Sequence, residues 1–204
     1  MAAPTAVQVR EGLRILTIGH SNHPMDHFLD LLRRHSIEVV ADIRSHPYSA
    51  YASQFDYRHL MKALRAEGIQ YIYLGTELGG RPHGEAYYDA DGHVLYGKVA
   101  ESSEFQEGLA RLEKGLGQYR IAMLCAEENP AGCHRRLLVG RVLAERGIAV
   151  EHIRGDGLLQ AEDELSAADG NSNQLGLFDE IEAPVWKSIP SVSLKRRQSN
   201  SSAF

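Results

Sequence analysis

A chain of 204 residues with 43% hydrophobic content and a net charge of −5 has the size and make-up of one globular domain, and it is not basic enough to coat nucleic acid as a whole. Two cysteines, no secretory leader and no apolar run near the roughly 18 residues of a membrane span point to a reducing cytoplasm, and away from a disulfide scaffold or a membrane protein.

Strands and helices alternate along the chain. RILTIG (14–19) is a β-branched apolar run, and MDHFLDLLRRH (25–35) places Phe28, Leu29, Leu31 and Leu32 at helical spacing. Pro24 suits the first turn of that helix, with Asn22 or Ser21 as its cap. IEVVADIR (37–44) reads as a buried strand. FDYRHLMKALRAEG (55–68) reads as a helix with Leu60, Met61 and Leu64 inward and Gly68 as its stop. IQYIYLG (69–75) is the third strand, followed by an irregular stretch from Thr76 to about Ala100. SEFQEGLARLEKGLG (103–117) predicts a helix and RIAMLCA (120–126) a fourth strand. NPAGCHRRLLVGRVLAERG (129–147) predicts one helix, capped by Asn129, opened by Pro130 and stopped by Gly147. IAVEHIR (148–154) is the fifth strand.

Near-continuous apolar strands joined by helices imply a parallel sheet covered on both faces. The expected fold is α/β, a Rossmann-like doubly wound, mostly parallel sheet of about five strands over residues 12–155. From 156 to 204 the composition turns to Asp, Glu, Ser, Asn and Gly. It reads as a largely disordered tail with room for one short helix near 158–168.

In such a sheet the loops after the strand ends converge on one edge, where ligands bind. The first strand delivers His20 and Ser21, and the second Asp42 and Arg44. Beyond the third lie Gly79, Gly80 and Arg81; the fourth brings Cys125 and Glu127, with Cys133, His134 and Arg135 in the next turns. The helix start favours a thiolate at Cys133, whereas Cys125, after IAML, has the setting of a small buried hydrophobe. His134 or His20 is the acid/base candidate, and Glu127 a base or a partner that orients Arg135. Arg44 and Arg135 are the anion holders, unless Asp42 and Arg44 are simply an ion pair. Gly79-Gly80-Arg81 has the residues of an anion-approach turn, and Arg136 is expected to point to solvent.

Three chemistries stay open at this edge. A phosphatase-like thiolate is disfavoured by the ten positions between Cys125 and Arg135. A zinc site of Cys125, Cys133, His134 and His20 has suitable donors in an unfamiliar spacing. A redox pair of the two thiols lacks the CxxC spacing. The cofactor is left unknown.

TIGHS (17–21), ADIRSHPYS (41–49), QF (54–55), LGGRP (78–82) and LCAEENPAGCHRR (124–136) occur in an order that resembles domain-of-unknown-function family 488, over roughly residues 14–154. The resemblance implies a compact α/β domain and no established reaction. Its characteristic positions fall on Gly19, His20, Ser21, Asp42, Arg44, Pro47, Phe55, Gly79, Gly80, Cys125, Glu127, Cys133, His134 and Arg135. Many relatives carry a basic residue in the second loop, where SAYASQF has none.

In the tail, Gln174, Leu175, Gly176, Leu177 and Phe178 are similar to the pentapeptide by which bacterial replication and repair proteins dock on the sliding clamp. The plainer reading packs Leu175, Leu177 and Phe178 back on the domain. Two functions follow: an enzyme using a thiol, a histidine and arginines on an anionic, phosphate-bearing substrate such as a nucleotide or nucleic acid, or an adaptor that reaches the clamp through its tail and binds nucleotide or nucleic acid at the sheet edge.

Overall fold

The structure, a computed structural model, describes residues 12–49, 51–170 and 185–190. Five parallel strands form as the apolar runs require: β1 (Arg14–Gly19), β2 (Val39–Asp42), β3 (Gln70–Tyr73), β4 (Ile121–Cys125) and β5 (Ala149–Ile153). They lie in the order β3-β2-β4-β1-β5, and a sixth strand, β6 (Leu159–Ala161), joins β5 antiparallel. Alternation along the strands sends side chains to opposite faces. Leu16, Ile18, Val40, Ala122 and Leu124 pack under α1 (Met25–Arg34) and α2 (Tyr57–Ala66). On the other face Ile15, Val39, Ala41, Ile121, Met123 and Val150 meet α4 (Tyr96–Glu101), α5 (Ser103–Leu116) and α6 (Arg141–Glu145). A single turn, α3 (Gly75–Leu78), links β3 to this second layer.

The structure corrects several expectations. Residues 129–147 do not form one helix. The Asn129 side chain accepts from Ala131 N–H in a local turn, Cys133 N–H closes on the Pro130 carbonyl, and helical structure begins only at His134. Arg135–Gly140 is π-helical and leads into α6. The stretch read as irregular contains α3 and α4. Pro24, with no capping side chain, opens α1 in place of Asn22 or Ser21. Met61 is exposed while Leu60 and Leu64 are buried, because the apolar stripe of α2 is narrower than read.

Order also extends past residue 155. β6 is followed by α7 (Glu162–Gly170), which carries the short helix expected there. Residues 185–190 return to the domain. Leu95 and Lys187 form an antiparallel bridge, Ser188 exchanges hydrogen bonds with Val94, and the Trp186 indole donates to the Leu137 carbonyl at 2.8 Å. The Arg141 guanidinium lies 4.3 Å over the Trp186 ring. No helix among the described residues is long and apolar enough to cross a membrane.

Candidate functional site

The connections after β1 and β2 leave toward α1 and α2, whereas that after β4 leaves on the opposite face. Between such divergent loops a doubly wound sheet opens a crevice. Here it is a cleft of about 290 Å³ lined by Arg44, Ser45 and His46 from the β2 loop, Gly80 and Arg81 from the β3 side, and Cys125, Glu127 and His134 from the β4 side.

Buried Arg44 lines its floor, and Asp42 lies behind it. The guanidinium grips the carboxylate bidentately, Nε to Oδ1 at 2.9 Å and Nη2 to Oδ2 at 2.6 Å, and Tyr71 donates a further bond to Oδ2 at 2.8 Å. Burial opposes the charge on Arg44, and the Asp42 bonds outweigh it, holding its pKa above the ordinary value. Arg44 Nη1 also donates to the Phe55 carbonyl and to His20 Nε2, both at 3.0 Å. That fixes His20 as the Nδ1–H tautomer, which donates to the Ser21 carbonyl at 2.6 Å. Burial, then the Arg44 charge, brings the His20 pKa down to about 4. His20 stacks on Phe55, ring centroids 4.5 Å apart, and its ring nitrogens are both engaged, so it is a structural imidazole and not the acid/base group. Ser21 holds a left-handed φ of 46°, with its N–H on the Ala126 carbonyl, and does not line the cleft.

Chemistry concentrates at Cys125. Its Sγ lies 3.7 Å from His134 Nδ1 and 3.2 Å from Cys133 Sγ, and His134 Nδ1 is 3.9 Å from Cys133 Sγ. His134 Nε2–H donates to the Ile43 carbonyl at 3.1 Å, which aims Nδ1 at the thiols. The Cys133 thiol donates to Cys125, and with the His134 charge it outweighs burial to bring the Cys125 pKa well below the ordinary thiol value. Cys133 moves well above, through that same bond and then burial. His134 is raised despite its burial, because the Cys125 charge faces it. The directions favour the negative charge on Cys125 over Cys133, with the His134 ring placed to carry the balancing proton. The preference for Cys133 rested on a helix beginning at Pro130, and that support is absent because the helix starts after Cys133.

Gly80 permits this pairing. A Cβ on it would stand 2.7 Å from His134 Cγ, so the loop packs flat on the imidazole. Gly80→Ala is expected to displace the ring, lowering stability by about 1–3 kcal/mol and slowing Cys125 alkylation; urea unfolding and a timed iodoacetamide assay read both. Gly79 packs against Ser45, outside the cleft, and Ser45 Oγ accepts from Arg81 N–H at 2.9 Å. The glycines therefore serve close packing, while Arg81 stands exposed on the rim.

Arg135 is fully buried and off the cleft. Its Nη2 donates to the Glu128 carbonyl, and its Nε and Nη1 have no partner among the described residues. It packs beneath Gly19, where a Cβ would meet both its Nη1 and the Glu127 carbonyl. It is held by that backbone and not by the exposed Glu127 side chain, which faces the cleft. Arg136, expected in solvent, is buried and pairs with Glu162 at 2.8 Å. Glu162 also accepts from His152, which is bonded to Thr17. The zinc quartet does not assemble, because the His20 nitrogens are taken; Cys125, Cys133 and His134 remain as a three-donor set. Tyr96, Ser188 and Pro190 line the cleft unforeseen. Tyr96 sits in a stretch with no periodicity, and 188–190 come from a polar tail. Gln174, Leu175, Leu177 and Phe178 lie outside the described residues.

The family model described as "Domain of unknown function DUF488" matches residues 24–142. No curated protein and no solved structure matches the chain.

Proposed function

The chain belongs to the DUF488 family, a membership that carries no reaction, and from the site itself we propose that it is a thiol enzyme acting on an anionic substrate with Cys125 as nucleophile. One observation carries the reading: Cys125 lines the cleft while His134 Nδ1 stands 3.7 Å from its Sγ, oriented by the His134 bond to the Ile43 carbonyl. A thiol, a base and a group that orients the base are the parts of an activated nucleophile. Arg81 on the rim supplies a cation for an anion, with His46 beside it as a hydrogen-bonding group. Glu127 faces the same space as a second proton carrier.

Alkylation at pH 6.5 with peptide mapping tests this. Iodoacetamide is expected to modify Cys125 before Cys133, in wild type and in Cys133→Ser, with the fast phase lost in Cys125→Ser. The rate ratio of anionic iodoacetate to iodoacetamide should fall in Arg81→Ala. First modification at Cys133, or both thiols reacting at the rate of a free cysteine, sinks the nucleophile. An unchanged ratio sinks the anion site.

A further inference from the structure

The thiol-enzyme reading leaves the second cysteine unexplained, and its placement decides the class of electrophile. Cys133 is 2% exposed and does not line the cleft, so a substrate meets Cys125 alone. Cys133 Sγ is nevertheless 3.2 Å from Cys125 Sγ, within about 1.2 Å of a disulfide bond length. Were Cys125 to carry an acyl or phosphoryl group, the atom to be attacked next would be carbon or phosphorus, out in the cleft beyond Cys133. The atom Cys133 touches is the Cys125 sulfur itself. A thiol so placed is useful when that sulfur is the electrophile, which happens when the adduct is a mixed disulfide.

Resting on that reading, we propose that Cys125 and Cys133 form a two-electron couple that reduces a small anionic disulfide bound in the cleft. The Cys125 thiolate attacks one sulfur of the substrate, forming the mixed disulfide and expelling one thiolate, which takes the proton of the His134 imidazolium. The neutral Nδ1, 3.9 Å from Cys133 Sγ, then accepts the Cys133 proton. The Cys133 thiolate attacks the Cys125 sulfur, the mixed disulfide breaks, and the second substrate thiolate leaves with the proton that His134 now carries. Two thiols of the protein are oxidised to one disulfide, and one substrate disulfide is reduced to two thiols. Tyr48 and Tyr96 in the cleft wall and Arg81 on its rim suit a flat, carboxylate-bearing substrate.

The probe is 5,5′-dithiobis(2-nitrobenzoate), with neutral 4,4′-dithiodipyridine beside it. Reduced wild-type protein is expected to release two thionitrobenzoates and to end unlabelled, lighter by two hydrogens, with a Cys125–Cys133 bond in the peptide map. Cys133→Ser should release one and keep the other on Cys125; serine still donates to the thiolate, so the first step survives. Arg81→Ala should slow the anionic probe by about tenfold and leave the neutral probe unchanged. A wild-type protein that stops at a stable adduct on Cys125 overturns the couple while leaving the nucleophile standing. A reaction that begins only after a chelator is added overturns it too, since the thiols then serve a metal ion. Equal slowing of both probes by Arg81→Ala overturns the anionic preference. Failure of the iodoacetamide mapping removes the nucleophile and the couple together.

Discussion

Replacing His134 with alanine is expected to slow alkylation of Cys125 at pH 6.5 by about tenfold or more, with wild type and variant converging as pH rises past the ordinary thiol range. The Cys125 pKa is held down first by the Cys133 hydrogen bond and next by the His134 charge, against burial. Wild-type reactivity should therefore persist below the usual thiol range and fall only as pH drops through the depressed value. Removing the imidazolium moves that fall to higher pH. A thiol whose pKa rises by about one loses roughly a factor of ten in thiolate fraction at lower pH. A pH–rate profile with iodoacetamide locates the midpoint in each protein. Superimposable profiles would mean that His134 is a bystander. Because Nε2 is bonded to the Ile43 carbonyl, the ring is already turned toward the thiols.

The second large effect is on stability. Asp42→Ala is expected to lower it by about 3–5 kcal/mol, measured by urea unfolding at pH 7. Asp42 is 0% exposed and Arg44 4%, so the variant leaves a buried guanidinium without its carboxylate. Tyr71 loses its acceptor as well. The double variant Asp42→Ala with Arg44→Ala should be less destabilised than the sum of the two single changes, because the unpaired charge is then gone. Strict additivity would show the pair to be uncoupled. Tyr71→Phe, which removes one hydrogen bond and no charge, should stay near about 1 kcal/mol.

The five parallel strands were legible because burial on both faces writes them as continuous apolar runs such as RILTIG and RIAMLC. β6, LQA, is short and half-exposed, so it lacks that signature and escaped notice. The order β3-β2-β4-β1-β5 was not legible, since nothing within VVAD says which neighbour it will pair. At the site, residue types at strand ends gathered correctly around one edge, yet their roles did not follow. The helix-start argument for Cys133 turned on a short segment in which the Asn129 side chain accepts from the Ala131 N–H. His20 could be read as an acid/base candidate because one of its partners, Arg44, is 24 positions away. Arg136 looked solvated because Glu162 lay in what reads as tail.

The π-helical turn at Arg135–Gly140 has a further consequence, one of phase. An α-helix advances about 100° per residue, so a continuous helix would tie the angle of His134 rigidly to that of Leu138, Val142 and Leu143 in the core. The wider i→i+5 ring accommodates one more residue per turn and resets that angle. Residues ahead of it can answer to the cleft and residues after it to the sheet, each on its own rotational clock. The turn works as a gear between chemistry and packing.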